Sequence, residues 1–160
     1  ALRTDDKGKL RAFSGFKADM LQLNETYNKA WLETEYNFAV ATSQQAANWS
    51  DYTRDAEVFP NLTFNTVGDE RVREEHAALD KITKPVDDEF WDIYYPPIGW
   101  GCRCDVMQSD GPVTKDKDAA FPIVPDMFKT NWGKEKIVFP DQHPYYDVSR
   151  AEAKSIKKQM

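Results

Sequence analysis

Cysteine and histidine are scarce in this chain: there are two of each among 160 residues. Two cysteines are too few for a disulfide scaffold, so a reducing, intracellular origin is expected. No stretch approaches the ~20 apolar residues that a membrane helix needs, and no signal-like segment opens the chain. A membrane partner is therefore not expected. Surplus basic charge is also lacking. Lys and Arg total 21 against 27 Asp and Glu, a net charge of −6, which argues against a polyanion binder on average. P-loop, Ser/His/Asp and paired-glutamate signatures are missing, so no small-molecule substrate is expected. The chain opens on Ala1 rather than Met, which suggests a trimmed or processed chain. Asn-x-Ser/Thr triplets at Asn24, Asn48 and Asn61 would matter only in a secreted eukaryotic protein.

What the chain does have is concentrated between Val67 and Gln108. Both cysteines, one histidine, two tryptophans, a Pro-Pro pair and three glycines fall there. The run Tyr94 to Cys104 is too rich in Pro, Gly and Trp for a helix, so specific turns and buried rings must set its shape. Charge is uneven as well: Val67 to Tyr95 holds nine acids against four bases, and Arg150 to Met160 four bases against one acid.

Around this block the periodicity predicts an α+β fold, in which a helical N-terminal half packs on a small, mainly antiparallel sheet. The whole of 1–160 reads as a single domain: helices over about 1–50, an α+β core over about 58–147, and a basic helix over about 148–160. Leu10, Phe13, Phe16, Met20 and Leu21 form an apolar stripe on the first helix. Asn24 can cap a second helix from Glu25 to about Trp49, with Tyr27, Trp31, Phe38 and Trp49 as its core-facing rings. Leu62 to Val67 and Cys102 to Met107 read as strands, and Ile137 to Phe139 as a third, short one. Asp69 is placed to cap a short helix carrying Arg71, Arg73 and His76, while Asp87 and Asp88 precede a turn bearing Phe90 and Trp91. Asp126 can cap a turn holding Met127 and Phe128. The polar stretch from Ser109 to Ala120 reads as a mobile loop.

His76, His143, Cys102 and Cys104 are the chain's entire stock of soft ligands. On a strand, Cys102 and Cys104 would point to the same face and Arg103 to the other. With the two histidines they would satisfy the tetrahedral preference of zinc, although Cys-x-Cys lacks the turn of a finger or knuckle. Two free buried thiols, or a strained disulfide, fit the same spacing. All three states stay open, and no cofactor follows with certainty. Arg71, Arg73 and Arg103 sit among Asp69, Glu70, Asp80, Asp87, Asp88 and Asp92. That set reads as an ion-pair network, with an anion site as the alternative. His76 with one of these arginines could also cut nucleic acid by general acid–base chemistry. The basic terminal helix (Arg150, Lys154, Lys157 and Lys158) could meet DNA or an acidic partner.

Several motifs together resemble one family. They are Gly68-Asp69-Glu70-Arg71-Val72-Arg73, His76, Leu79-Asp80, Asp87-Asp88-Glu89-Phe90-Trp91, Pro96-Pro97 and Gly99-Trp100-Gly101-Cys102-Arg103-Cys104. Leu32 to Tyr36, Ala47-Asn48-Trp49 and Phe59 to Leu62 extend the likeness upstream, and His143 to Tyr146 downstream. The pattern is similar to the Mu F-like minor head, or head morphogenesis, proteins of tailed bacteriophages. Lys81 stands where that family usually has Gly, and Trp132 where Asn-Pro-Gly is usual. The resemblance implies a non-enzymatic minor capsid protein of a phage or prophage. It would be made in the bacterial cytoplasm and built into the procapsid near the portal. Its partners would be the portal and other head proteins, and in some phages packaged DNA. The resemblance makes Asp69, Arg71, Arg73, His76, Asp88, Trp91, Pro96, Pro97, Trp100, Cys102 and Cys104 determinants of the fold. A small nuclease using His76, or a DNA-binding accessory protein of the virion, are the alternatives.

Overall fold

A computed structural model describes residues 29–140 and His143. The stripe over residues 10–21, the cap at Asn24, Tyr27 and the basic terminal helix lie outside the described residues.

The long helix α1 spans Lys29–Arg54. It carries a buried stripe at Leu32, Glu35, Phe38, Ala39, Thr42, Gln45 and Trp49, with the i, i+3, i+4 spacing that one helix face requires. Trp31 lies off that stripe and is 67% exposed, so it is not the core ring its aromatic character suggested. Polar members of the stripe are bonded rather than orphaned. Thr42 Oγ1 donates to the Ala39 carbonyl, and Gln45 Nε2 donates to Asp105 Oδ1 at 2.8 Å. The Gln45 carbonyl accepts from the Tyr95 hydroxyl at 2.8 Å.

The α+β class holds, with helices beside a three-stranded antiparallel sheet. β1 (Asn61–Asn65) is central, flanked by β2 (Thr83–Pro85) and β3 (Asp105–Ser109). Leu62 and Phe64 point inward from β1 and are fully buried. Thr63 points the other way and shares a 2.8 Å hydroxyl contact with Thr83 across the β1–β2 pair. β2 escaped the sequence reading because three residues are too few to show alternation. Conversely, Ile137 to Phe139 form no strand. Lys136 closes the helix before them with a left-handed φ of 55°, and the chain turns through those residues instead.

Three short helices complete the frame: α2 (Glu74–Ala77), α3 (Phe90–Ile93) and α4 (Trp132–Glu135). Asp69 does not cap α2. It accepts from the Arg71 amide in a local turn, while Arg73 stands at the cap position without a side-chain bond. Asp88 does serve the start of α3, accepting from the Phe90 amide at 2.8 Å. Asp126 begins a 3-10 turn, Asp126–Phe128, but its carboxylate pairs with Lys129 instead of capping. Asn131 caps α4 by accepting from the amides of Gly133 and Lys134, and it also donates to the buried Trp91 carbonyl. An Asn directly before a helical turn is a readable cap, and this one was missed.

The segment after β3 is pinned rather than loose. Thr114 exchanges two hydrogen bonds with Thr83, and Lys84, 4% exposed, reaches Asp116 across the segment. Lys81 adopts φ 63°, a left-handed conformation that favours glycine, so that its amide can reach the Phe64 carbonyl and Ile82 can accept from the Phe64 amide. Its ammonium contact with Asn65 offsets part of that cost.

The core is aromatic. Trp91 and Trp132 are fully buried, and each indole N–H reaches a proline carbonyl, of Pro85 and Pro97 respectively. Phe38, Trp100, Phe128 and Trp132 cluster around the start of α4. Trp100 is only half-buried, less than a core role would give it. Pro96 and Pro97, both buried, are joined by a cis peptide bond.

Candidate functional site

One locus brings scarce residues together. The short helix α2 delivers His76, buried to 5% exposure, toward the turn that runs from Gly99 to Cys104. Cys102 and Cys104 precede β3 instead of lying on it, so the alternation argument is not what aligns them. The turn itself does so: the Cys102 amide donates to the Gly99 carbonyl at 3.2 Å, and both thiols face one imidazole nitrogen. His76 Nδ1 lies 3.4 Å from Cys104 Sγ and 3.7 Å from Cys102 Sγ. Both thiols are half-buried and free of any disulfide.

On the other side of the ring, Nε2 lies 3.3 Å from Arg73 Nη1, and Arg73 Nη2 donates to the Trp100 carbonyl. With a guanidinium donating to Nε2, the imidazole carries its proton on Nδ1, facing the sulfurs. Gly99 lets the turn pack closely on these two side chains, and any larger residue would make the Arg73 guanidinium give by a few tenths of an ångström. A Cβ there would lie 3.2 Å from Arg73 Nη1 and 3.7 Å from His76 Nε2. The neighbouring Cys104 side chain, and then the His76 contact, hold Cys102 well below the ordinary thiol range against the opposing effect of burial. The same pairing, and then burial, push Cys104 up. One thiol of the pair therefore ionises first.

A cleft of about 280 Å³ opens above this cluster. Val67 and Val72 form its apolar wall, and Arg71, Arg73 and Arg103 bring the positive charge. Arg103 forms a two-pronged pair with Asp69, both contacts at 2.7 Å. The wider network read from the sequence is not built around the arginines. Asp80 instead accepts from the amide and hydroxyl of Thr66, Asp88 bonds the start of α3, and Asp92 pairs with Lys134. Short carboxylates next to turns bond the nearest amides, and charge counting along a sequence does not reveal this.

His143 is not brought to the thiols. Its ring packs on Phe139 at 4.5 Å and Trp100 at 5.6 Å between centroids, and burial pushes its pKa down. Among the described residues the donor group is His76, Cys102 and Cys104.

The Arg103 fork lowers the Asp69 pKa from 3.8 to about 2, with the Arg71 amide helping and desolvation opposing. A depressed folded pKa means the fork's stabilisation is complete above about pH 4 and fades as pH falls toward 2. Carboxyl NMR titration should place the Asp69 midpoint near 2, returning toward 3.8 in Arg103→Gln. A midpoint unmoved by that change would remove the fork as the cause.

Fold and site together describe an α+β fold with an aromatic core that carries a thiol–imidazole cluster under an arginine rim. The profile of the Phage Mu protein F like family matches residues 11–107, and the chain belongs to that family. It is 39% identical over 75 residues to the putative capsid assembly protein F of Escherichia phage Mu, covering 47% of this chain and 17% of that protein. It is 35% identical over 65 residues to the Mu-like prophage FluMu F protein of Haemophilus influenzae, covering 41% and 16%. These alignments take in about a sixth of each relative's length. No solved structure matches the chain.

Proposed function

We propose that this chain is a structural part of the head-assembly machinery of a tailed phage or prophage. In this reading it is a minor, non-enzymatic component of the procapsid, seated at or near the portal. The observation that carries it is the family match over residues 11–107, with a relative named as a putative capsid assembly protein. The site supports it. Both ring nitrogens of His76 are engaged, and the fold-determining residues Asp69, Arg73, Asp88 and Trp91 spend their polar atoms holding turns together. No described helix is long and apolar enough to cross a membrane. Its partners are then other head proteins, the portal first among them. With a net charge of −6, contact with packaged DNA would be confined to local basic patches and weaken steeply with salt.

The test is genetic and is done in the phage that carries the gene. Removing the gene should leave empty or aberrant heads by electron microscopy, and the intact protein should cross-link to the portal in procapsids. Normal DNA-filled, infectious particles without it would overturn the reading. So would cleavage of single-stranded RNA or DNA by the purified chain that His76→Ala abolishes.

A further inference from the structure

Two thiols and an imidazole converge at the floor of the cleft, and hydrogen bonding does not serve them evenly. Both sulfurs face Nδ1 of His76, whose single proton can be aimed well at only one of them. A dication satisfies all three donors at once. In a tetrahedral zinc site, with Zn–S near ~2.3 Å and Zn–N near ~2.0–2.1 Å, neighbouring donors sit roughly 3.5–3.8 Å apart. Here Nδ1 is 3.4 and 3.7 Å from the two sulfurs, and the three donor atoms all lie within 4.8 Å of one another. The two N–S separations match edges of one tetrahedral face, and the sulfurs lie within 4.8 Å of each other.

We propose that His76, Cys102 and Cys104 bind one zinc ion, with its fourth position turned to the arginine-lined cleft and held by water or an anion. Two thiolates and one imidazole are a donor set that prefers zinc to the hard divalent cations. His143 packs with Phe139 and Trp100 away from the donor group, which leaves the fourth position to the cleft. Ligation through Nδ1 makes Nε2 an N–H. The 3.3 Å contact with Arg73 Nη1 is then given up, while Arg73 keeps the Trp100 carbonyl through Nη2. The ion would join α2 to a turn 26 residues further on, closing by coordination a segment with little regular structure.

The 160-residue chain, purified under reducing conditions without chelator, provides the test. We expect one zinc per chain and two thiols that react with a thiol reagent only after a chelator is added. Cobalt(II) in place of zinc should give thiolate-to-metal charge-transfer bands with tetrahedral d–d bands. Cys102→Ser and Cys104→Ser should each weaken those bands and lower zinc affinity by more than ~10-fold, a loss that outer-shell changes alone can reach. His143→Phe, which keeps the aromatic packing, should leave stoichiometry and spectrum unchanged. Thiols that react at once in metal-loaded buffer, with no cobalt charge-transfer band, would overturn the proposal. A Cys102–Cys104 disulfide in the reduced preparation would do so too. A cobalt spectrum altered by His143→Phe would overturn the open fourth position. None of these outcomes bears on head assembly, which is read in the phage, so the two readings can fail separately.

Discussion

Trp91→Ala should destabilise the fold by about 3–5 kcal/mol, the cost of emptying a large buried aromatic site. Trp91 is fully buried, meets Phe90 and Tyr95 edge-on at 4.8 and 6.3 Å, and donates its indole N–H to the Pro85 carbonyl at 2.8 Å. Truncation leaves a cavity between α3 and the Pro-Pro turn, and it leaves a carbonyl at the end of β2 without that donor. Its own carbonyl holds Asn131, so relaxation of α3 would also disturb the cap of α4. Denaturant unfolding checks this. A midpoint loss equivalent to less than about 1 kcal/mol would show that the loop is not ordered by this ring.

Gly133→Ala should cost about 3 kcal/mol, at the upper end of the range for overpacking. Gly133 lies where α4 crosses α1, and a Cβ there would meet Trp49 Cβ at 2.2 Å and the indole carbons at 2.5 and 2.7 Å. The nearest atom is fixed to the α1 backbone, so no rotamer change removes the clash. One helix must back away from the other, and the Asn131 cap and the Trp132 indole bond to Pro97 lie on the element that would move. The same unfolding experiment, with the denaturant m-value as a control for native-state expansion, is the check. An alanine variant of unchanged midpoint would mean that the two helices do not pack this closely.

These two residues show where the sequence was legible. α1 could be read because its core-facing positions recur over about five turns, from Leu32 to Trp49, and β1 because Leu62 and Phe64 alternate with polar residues. The gathering of His76 with both cysteines followed from their rarity and their common flanking of one loop. Periodicity failed where elements were too short to repeat, as in β2 and α4. It also failed where tertiary contacts chose the partner. Trp31 has the same intrinsic preference as Trp49, yet only Trp49 faces α4. His143 was assigned by chemistry to the thiols, and packing sends it to Phe139 instead. Lys81 could not be anticipated at φ 63° because nothing in its own chemistry favours that conformation.

The closures on either side of the sheet bear on how such a chain behaves at high local concentration. A three-stranded sheet has two outer rims, each a template onto which a strand from another molecule could add. Here Thr114 takes up both the amide and the carbonyl of Thr83 along the β2 rim, and Lys84 places a cation beside them. On the β3 rim the Tyr52 hydroxyl occupies the Val106 carbonyl at 2.6 Å, and the Val106 amide is turned to Asp105. An incoming strand meets spent donors and acceptors at the middle of each rim. Strand addition from another copy is therefore disfavoured at these positions of the sheet.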